Sequence, residues 1–176
     1  MTPPADRPRL PPLTPRRQPN GDRVLELQIP PQRDYLVLAR ELVAAANQDA
    51  GLDPLRLDNL QLAVSEACTN AIEAHESRGV QHPIAIRAAV SDVGVEVVIS
   101  DRGGGFDPAG AVTLPEPEDP RRLEFEHGLG LGLMRALSDR LEIHSSPAGT
   151  AVRVVMLSAP AASGVPGGTP GTAPGP

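Results

Sequence analysis

Hydrophobic positions along this chain change period several times, and each change marks a new element. Between Arg23 and Ile29, Val24, Leu25, Leu27 and Ile29 alternate imperfectly with polar residues until Pro30 and Pro31 stop the run, which predicts a short strand. From Arg33 to Ala50, Leu36, Val37, Ala39, Leu42, Val43 and Ala46 recur at helical spacing, and Gly51 supplies the stop. A second helix opens at Asp53, an N-cap residue followed by Pro54, and runs to about Glu76, ending before Gly79. Pro83–Val90 and Val93–Ser100 are rich in β-branched residues and predict a hairpin that turns at Ser91 and Asp92. Residues 107–127 carry four prolines and many charges with no period, so they predict a long loop of the kind that is usually functional or disordered. Leu131, Leu133, Met134 and Leu137 then mark a short helix over Gly130–Arg140. Two more strands, Leu141–Ser145 and Thr150–Leu157, flank a turn at Pro147–Gly149. The order predicts an α/β two-layer sandwich with a mixed, mainly antiparallel sheet and helices on one face.

Composition sets the limits of that domain. Of 176 residues, Met1–Asn20 holds seven prolines, and Ala159–Pro176 is almost entirely Pro, Gly, Ala, Ser and Thr. Such segments bury too little apolar surface to offset the entropy of ordering, so 1–22 and 159–176 read as disordered tails around a domain at 23–158. All sixteen basic residues are arginines, the net charge is -6, and no dense basic stripe exists, which argues against direct nucleic-acid binding. No apolar run suits a membrane span and Met1–Asn20 lacks the apolar core of a signal peptide, so the expected location is cytoplasmic. Cys68 is the only cysteine and is expected in the core; no Cys/His group has zinc spacing.

Candidate chemistry gathers at three places. On the second helix, taking Glu66 as 0°, Asn70 falls near 40° and Glu73 near about -20°, one stripe opposite the core face of Leu57, Val64, Cys68 and Ala71. Leu62, at about -40°, lies on that polar stripe and implies that this side too is partly covered. Glu and Asn one turn apart offer the oxygen ligands that magnesium prefers when phosphates supply the rest. The second place is Asp101-Arg102-Gly103-Gly104-Gly105-Phe106-Asp107, directly after an apolar strand. A strand-end carboxylate can accept a hydrogen bond from an exocyclic amine, and glycines let the backbone pass close to a ring. The third is Gly128-Leu129-Gly130-Leu131-Gly132, opening a helix whose exposed N–H groups and dipole suit phosphate. It fits neither the P-loop nor the dinucleotide fingerprint.

Together these residues resemble the GHKL (Bergerat-fold) ATPases, and most closely their small branch of anti-sigma-factor serine/threonine kinases typified by RsbW and SpoIIAB. Ser65 to Glu73 is similar to that branch's N box, Asp101 to Pro108 to its G1 box and Gly128 to Leu133 to its G2 box, with Gly149-Thr150 similar to the last nucleotide motif. The resemblance spans Val24 to Leu157. It implies ATP and Mg2+ as cofactors, Asn70 as the magnesium ligand, Asp101 as reader of the adenine amino group, and Gly103 and Gly105 as walls of the base pocket. It implies that Gly128, Gly130 and Gly132 flank an ATP lid at 107–127, that Thr150 lies near the adenine, and that Glu66 is the catalytic carboxylate. Arg40 matches a helix-one arginine that meets protein partners in the branch. The branch usually carries His four residues after the N-box Asn, whereas this chain has Ala74 there and His75 next, turned about 100° away, which argues against a site role for His75. Arg140 follows Asp139 where the branch often has an acidic residue.

The resemblance implies a kinase that phosphorylates an anti-sigma-factor antagonist and holds a sigma factor, in a branch that commonly forms homodimers. The alternative is a non-catalytic ATP-binding module that tethers its partner. A histidine kinase would also need a phospho-accepting helical domain, and a Pro-rich segment precedes Val24 instead.

Overall fold

The computed structural model describes residues 16–17, 22–106 and 126–158. In chain order the elements are β1 (Arg16–Arg17), β2 (Arg23–Ile29), a 3-10 turn (Arg33–Tyr35), α1 (Leu36–Ala50), α2 (Pro54–Arg78), β3 (Ile84–Ser91), β4 (Gly94–Ser100), α3 (Glu126–Leu137), β5 (Arg140–Ser146) and β6 (Gly149–Leu157). The strands form one six-stranded sheet in the order β1-β2-β3-β4-β6-β5. Each ladder is antiparallel, so the mixed component expected from the sequence does not occur among the described strands. β3 and β4, and β5 and β6, are joined by tight turns; α1 and α2 lie between β2 and β3, and α3 lies between β4 and β5, which is placed beyond β6 at the sheet edge.

Alternation decides which face is covered. Leu27, Ile86, Ile99, Val152 and Ile143 stand opposite one another across five strands and point at the helices. The next row, Glu26, Arg87, Val98, Arg153 and Glu142, faces away, and Arg153 bridges Glu96 at 2.5 Å and Glu142 at 2.8 Å. Onto the apolar face α1 lays Ala39, Leu42, Val43 and Ala46, all fully buried. α2 lies between α1 and α3 and reaches β3, β4 and β6, which makes it the central helix of that layer.

The helix signals read from sequence are realised in the structure. Asp53 caps α2 by accepting from Arg56 N–H at 3.0 Å, and Gly51 and Gly79 end α1 and α2 in left-handed conformation at φ 64°. Val64, Cys68 and Ala71 are buried as expected, with Leu57 packed against the same cluster. Leu62 itself is 43% exposed, but Glu66, Asn70 and Glu73 on the same stripe are half-buried, so that side of α2 is partly covered. The β3–β4 turn falls at Asp92–Val93 rather than at Ser91 and Asp92. Arg16–Arg17 pair with Val24 and Arg23 although they lie in the stretch expected to be a tail; pairing with a strand edge needs only backbone groups. The rest of both tails and nearly all of the loop at 107–127 fall outside the described residues.

The largest difference is in α3. It begins at Glu126 and not at Gly130, so Gly128 also lies inside the helix and all three glycines fall in its first two turns. Each internal glycine costs about 1 kcal/mol in a helix, but burial of Leu131 and Met134 against the core outweighs that. By the helical ladder, the N–H groups of Gly130 and Gly132 reach back to residues 126 and 128, and the unpaired N–H groups belong to 126–129.

Candidate functional site

Where β4 ends, the chain crosses the last turns of α2, and three consecutive residues each meet that helix. Arg102 N–H donates to His75 Nε2 at 2.9 Å. Gly103 lies flat on Ala74, where a Cβ would come within 2.5 Å of the Ala74 Cβ. Gly104, at φ 82°, lies under the Arg78 guanidinium. On the other side Gly105 presses on the Ser146 carbonyl and Gly149 on the Asp101 carbonyl, each too closely for any side chain. Phe106 N–H donates to Ser145 Oγ at 2.7 Å. The turn is therefore held between α2 and the β5–β6 hairpin.

Asp101 is fixed at several points. Its N–H donates to the Thr150 carbonyl at 2.9 Å, and its Oδ1 accepts from Gly103 N–H at 2.7 Å with Thr150 N–H at 3.4 Å. No donor among the described residues meets its second carboxylate oxygen. Asp101 and Thr150 line a cavity of about 370 Å³ with Asn70, Gly103, Gly105, Phe106 and Arg78. Ala67, Ala71, Ala74, Leu131 and Val152 add a small apolar wall, and Glu73 and Ser77 complete the lining. That volume and lining suit an aromatic ligand held by a few polar groups.

Glu66 and Asn70 converge where the sequence places them, one turn apart on α2. A Cβ at Gly130 would sit 3.4 Å from Glu66 Oε2 and 3.5 Å from the Asn70 amide, so α3 approaches both through a residue without a side chain. Asn70 lines the cavity; Glu66 stands just beyond its lining. Neither makes a hydrogen bond or ion pair with another described residue. Glu73, on the same stripe, accepts from Arg33 at 2.7 Å. Among the described residues no group of three or more His, Cys, Asp or Glu side chains is placed to hold a metal ion. A cation here would depend on Asn70 and on the ligand's own oxygens.

The other expected site residues are placed unevenly. Gly132 is exposed with open space around its Cα and does not line the cavity, and Gly128 is placed only as helical backbone. Arg40 lies on α1 away from the cavity, its Nε donating at 3.0 Å to Ser65 Oγ, the residue before Glu66. Gln61 Nε2 donates to the Arg40 carbonyl at 3.1 Å and ties the two helices together there.

Two residues escaped the sequence reading. His75, expected to have no role in the site, is fully buried and holds Arg102, while its Nδ1 has no hydrogen-bond partner. Burial pushes its pKa below the usual histidine value, against the opposing charge of Asp101, so the ring is neutral. The helical wheel contained the signal: position 75 falls at about 180° from Glu66, on the core face, and a buried imidazole needs a partner. Arg78 lines the cavity mouth beside Gly104, and its sequence context, an arginine before a C-cap glycine, looks like an ordinary helix end.

Comparison with known proteins agrees with this geometry. Residues 29–156 match the family described as the histidine kinase-like ATPase domain. The serine-protein kinase RsbW of Bacillus pumilus is 29% identical over 143 residues, covering 77% of this chain and 86% of that protein. RsbW of Oceanobacillus iheyensis is 31% identical over 124 residues, covering 69% of this chain and 78% of that protein. Among solved structures, the RsbU and RsbW domains of Rv1364c from Mycobacterium tuberculosis superpose with a TM-score of 0.57 at 21% identity, a likeness of fold. The match covers 78% of this chain and 33% of that longer one. By its matched span and its arrangement of boxes, this chain belongs to the histidine kinase-like (GHKL) ATPase family, in the branch of the RsbW serine-protein kinases.

Proposed function

We propose that this protein is an ATP-dependent protein serine/threonine kinase that phosphorylates an anti-sigma-factor antagonist and acts as an anti-sigma factor through the domain at 23–158. The observation that carries this reading is the meeting of Glu66 and Asn70 at Gly130, beside a cavity whose far end is the half-used carboxylate of Asp101. Adenine would lie over Ala71, Ala74, Gly103 and Gly105, with its amino group donating to Asp101 and Thr150 alongside. Asn70 would hold Mg2+ together with the phosphates, and the unpaired N–H groups at the start of α3, flanked by Gly128, Gly130 and Gly132, would face the anionic end of the nucleotide. Bound magnesium supplies charge neutralisation for phosphoryl transfer. Glu66 would accept the proton of a partner's serine hydroxyl as that oxygen attacks the γ-phosphorus and the bond to the β–γ bridging oxygen breaks. Arg40, pinned beside Ser65, would contribute to the partner surface.

Incubation with γ-labelled ATP and candidate antagonists is expected to label a serine of the antagonist. Glu66→Gln should lower that rate by about 10²- to 10⁴-fold with little change in ATP affinity. Asp101→Asn should weaken ATP binding by roughly 100-fold, because it loses a charged acceptor and turns a donor toward a donor. A protein that binds ATP but labels no antagonist overturns the kinase reading. One observation favours a second reading, a non-catalytic nucleotide-dependent tether: Glu66 stands outside the cavity lining. Under that reading Glu66→Gln leaves partner release in ATP unchanged.

A further inference from the structure

His75 is chemically out of place in an otherwise apolar layer. The residues buried around it on α2 are Ala71, Ile72 and Cys68, and it is the largest polar side chain in the buried set. A buried imidazole that accepts at Nε2 carries its proton on Nδ1, and that Nδ1 has no partner. The Arg102 amide is the one well-formed hydrogen bond of the ring, with the His82 backbone a weaker influence, so what that bond holds is where His75 acts most directly.

That bond is to the amide of Arg102, the peptide directly after Asp101. The same peptide is gripped on its carbonyl side, because Gly149 packs on the Asp101 oxygen so closely that a Cβ there would collide. With N–H and C=O both held, the peptide plane cannot rotate, and the backbone torsion that aims the Asp101 side chain is fixed. Asp101 Oδ1 is spent on Gly103 N–H, so the direction of its other oxygen into the cavity follows from that plane. Ala74 and Arg78 meet Gly103 and Gly104, beyond that peptide, so they bear on the rest of the turn and not on the Asp101–Arg102 plane.

We propose that His75 is a positioning residue for base recognition: by accepting the Arg102 amide it aims the Asp101 carboxylate at the exocyclic amino group of a purine. The inference rests on the nucleotide-site reading above and assigns it a specificity element outside the cavity wall. Burial keeps the ring neutral with Asp101 and His82 as its charged or titratable neighbours, so the acceptor is available near neutral pH.

The test is the ratio of affinities for ATP and for inosine triphosphate, which carries a carbonyl in place of the amino group. It is measured by calorimetry on the full chain for the wild type, His75→Leu, His75→Gln and His75→Asn, with the melting temperature of each. Wild type should prefer ATP by about tenfold or more, the effect of one hydrogen bond to a charged acceptor. His75→Leu should bring the preference below about threefold. His75→Gln can place an oxygen near the Nε2 position and should keep it, whereas His75→Asn is too short and should lose it. The Gln and Asn pair carries the comparison if the leucine variant does not fold. Leucine or asparagine variants that melt lower yet keep the wild-type ratio overturn the proposal and leave His75 a structural residue. A wild type that binds both nucleotides equally overturns the adenine reading itself, and this inference with it.

Discussion

The two ends of α2 hold cavities of similar size and opposite chemistry. At its N-terminal end a cavity of about 320 Å³ is lined by Asp53, Arg56 and Asp139. Every one of those groups is already engaged: Asp53 caps Arg56 N–H, Arg56 pairs with Asp139 at 2.8 Å, and Asp139 also accepts from Leu157 N–H at 2.8 Å. Along the second half of the helix the cavity measures about 370 Å³, and there Asn70, Arg78 and one oxygen of Asp101 have no partner among the described residues. Volume therefore does not distinguish the two. Nor does a free carboxylate oxygen, since Asp53 and Asp139 each keep one and Asn59 lines the first cavity. What does is an ion pair across the first end against unpaired Asn70 and Arg78 at the second, set in a wall of Ala and Gly that a packed interior would fill with larger side chains.

The sharpest way to break that comparison is to add one methyl group to the second end. Gly103→Ala puts a Cβ within 2.5 Å of the Ala74 Cβ and 2.9 Å of its backbone carbon, and α2 cannot retreat because it is packed on α1, α3 and three strands. The expected cost is about 3 kcal/mol of stability by chemical denaturation, near the upper end for overpacking, together with loss of ATP binding. Gly132→Ala is the control: nothing lies within 4 Å, so it should be neutral or stabilise α3 by about 0.5 kcal/mol. Equal effects at both positions would mean that the close approach of turn to helix is not a feature of the site.

The same contrast explains what could be read from the sequence. Helix ends were legible because Asp53, Gly51 and Gly79 act locally, and sheet faces because alternation has a strict period of two. Glu66, Asn70 and Asp101 were legible because helical angle and strand-end position place them without knowledge of distant partners. The start of α3 was not, since local propensity disfavours three glycines and the burial that overrides it comes from another part of the chain. The hairpin turn moved by one residue because Ser91 pairs with Gly94 across the ladder, which leaves Asp92 and Val93 as the two turn residues. His75 was missed because its partner is a backbone amide 27 positions away, which leaves no mark in the sequence.

Cys68 lies on α2 between the two ends and can report on both. It is fully buried, and burial pushes its thiol up to about 12, so at pH 8 almost no thiolate is exposed to a labelling reagent. Reaction with a disulfide reagent should follow global opening. ATP at 100 times its dissociation constant stabilises the native state by about 2.7 kcal/mol and should slow labelling roughly 100-fold, if opening is fast and reversible. The slowing should vanish in Asp101→Asn. Labelling that ignores saturating ATP would mean either that the thiol is reached by local opening or that the second end binds no nucleotide, and the melting temperature with ATP separates those outcomes.

The smallest effect belongs at the N-terminal end, where the groups serve the fold alone. Burial on its own would raise the Asp139 pKa, but the Leu157 N–H bond and the Arg56 hydrogen bond and charge outweigh it and hold the carboxyl below the ordinary aspartate value of 3.8. A carboxyl whose folded pKa is depressed binds its proton more readily in the unfolded chain. Its contribution to stability is therefore complete above about pH 4 to 5 and is lost as pH falls through 3.8 toward the folded value. Asp139→Asn keeps an acceptor for Leu157 N–H but removes the charge opposite Arg56. The pair is partly exposed, so the melting temperature should drop by only a few degrees at pH 7 and the difference from wild type should shrink near pH 3. Affinity for ATP should stay within about twofold, because Asp139 lies outside the lining of the second cavity and shares no partner with Asn70 or Asp101. A larger change in affinity would show that the pairing at one end of α2 sets the geometry at the other, and the two ends would have to be treated as one coupled unit.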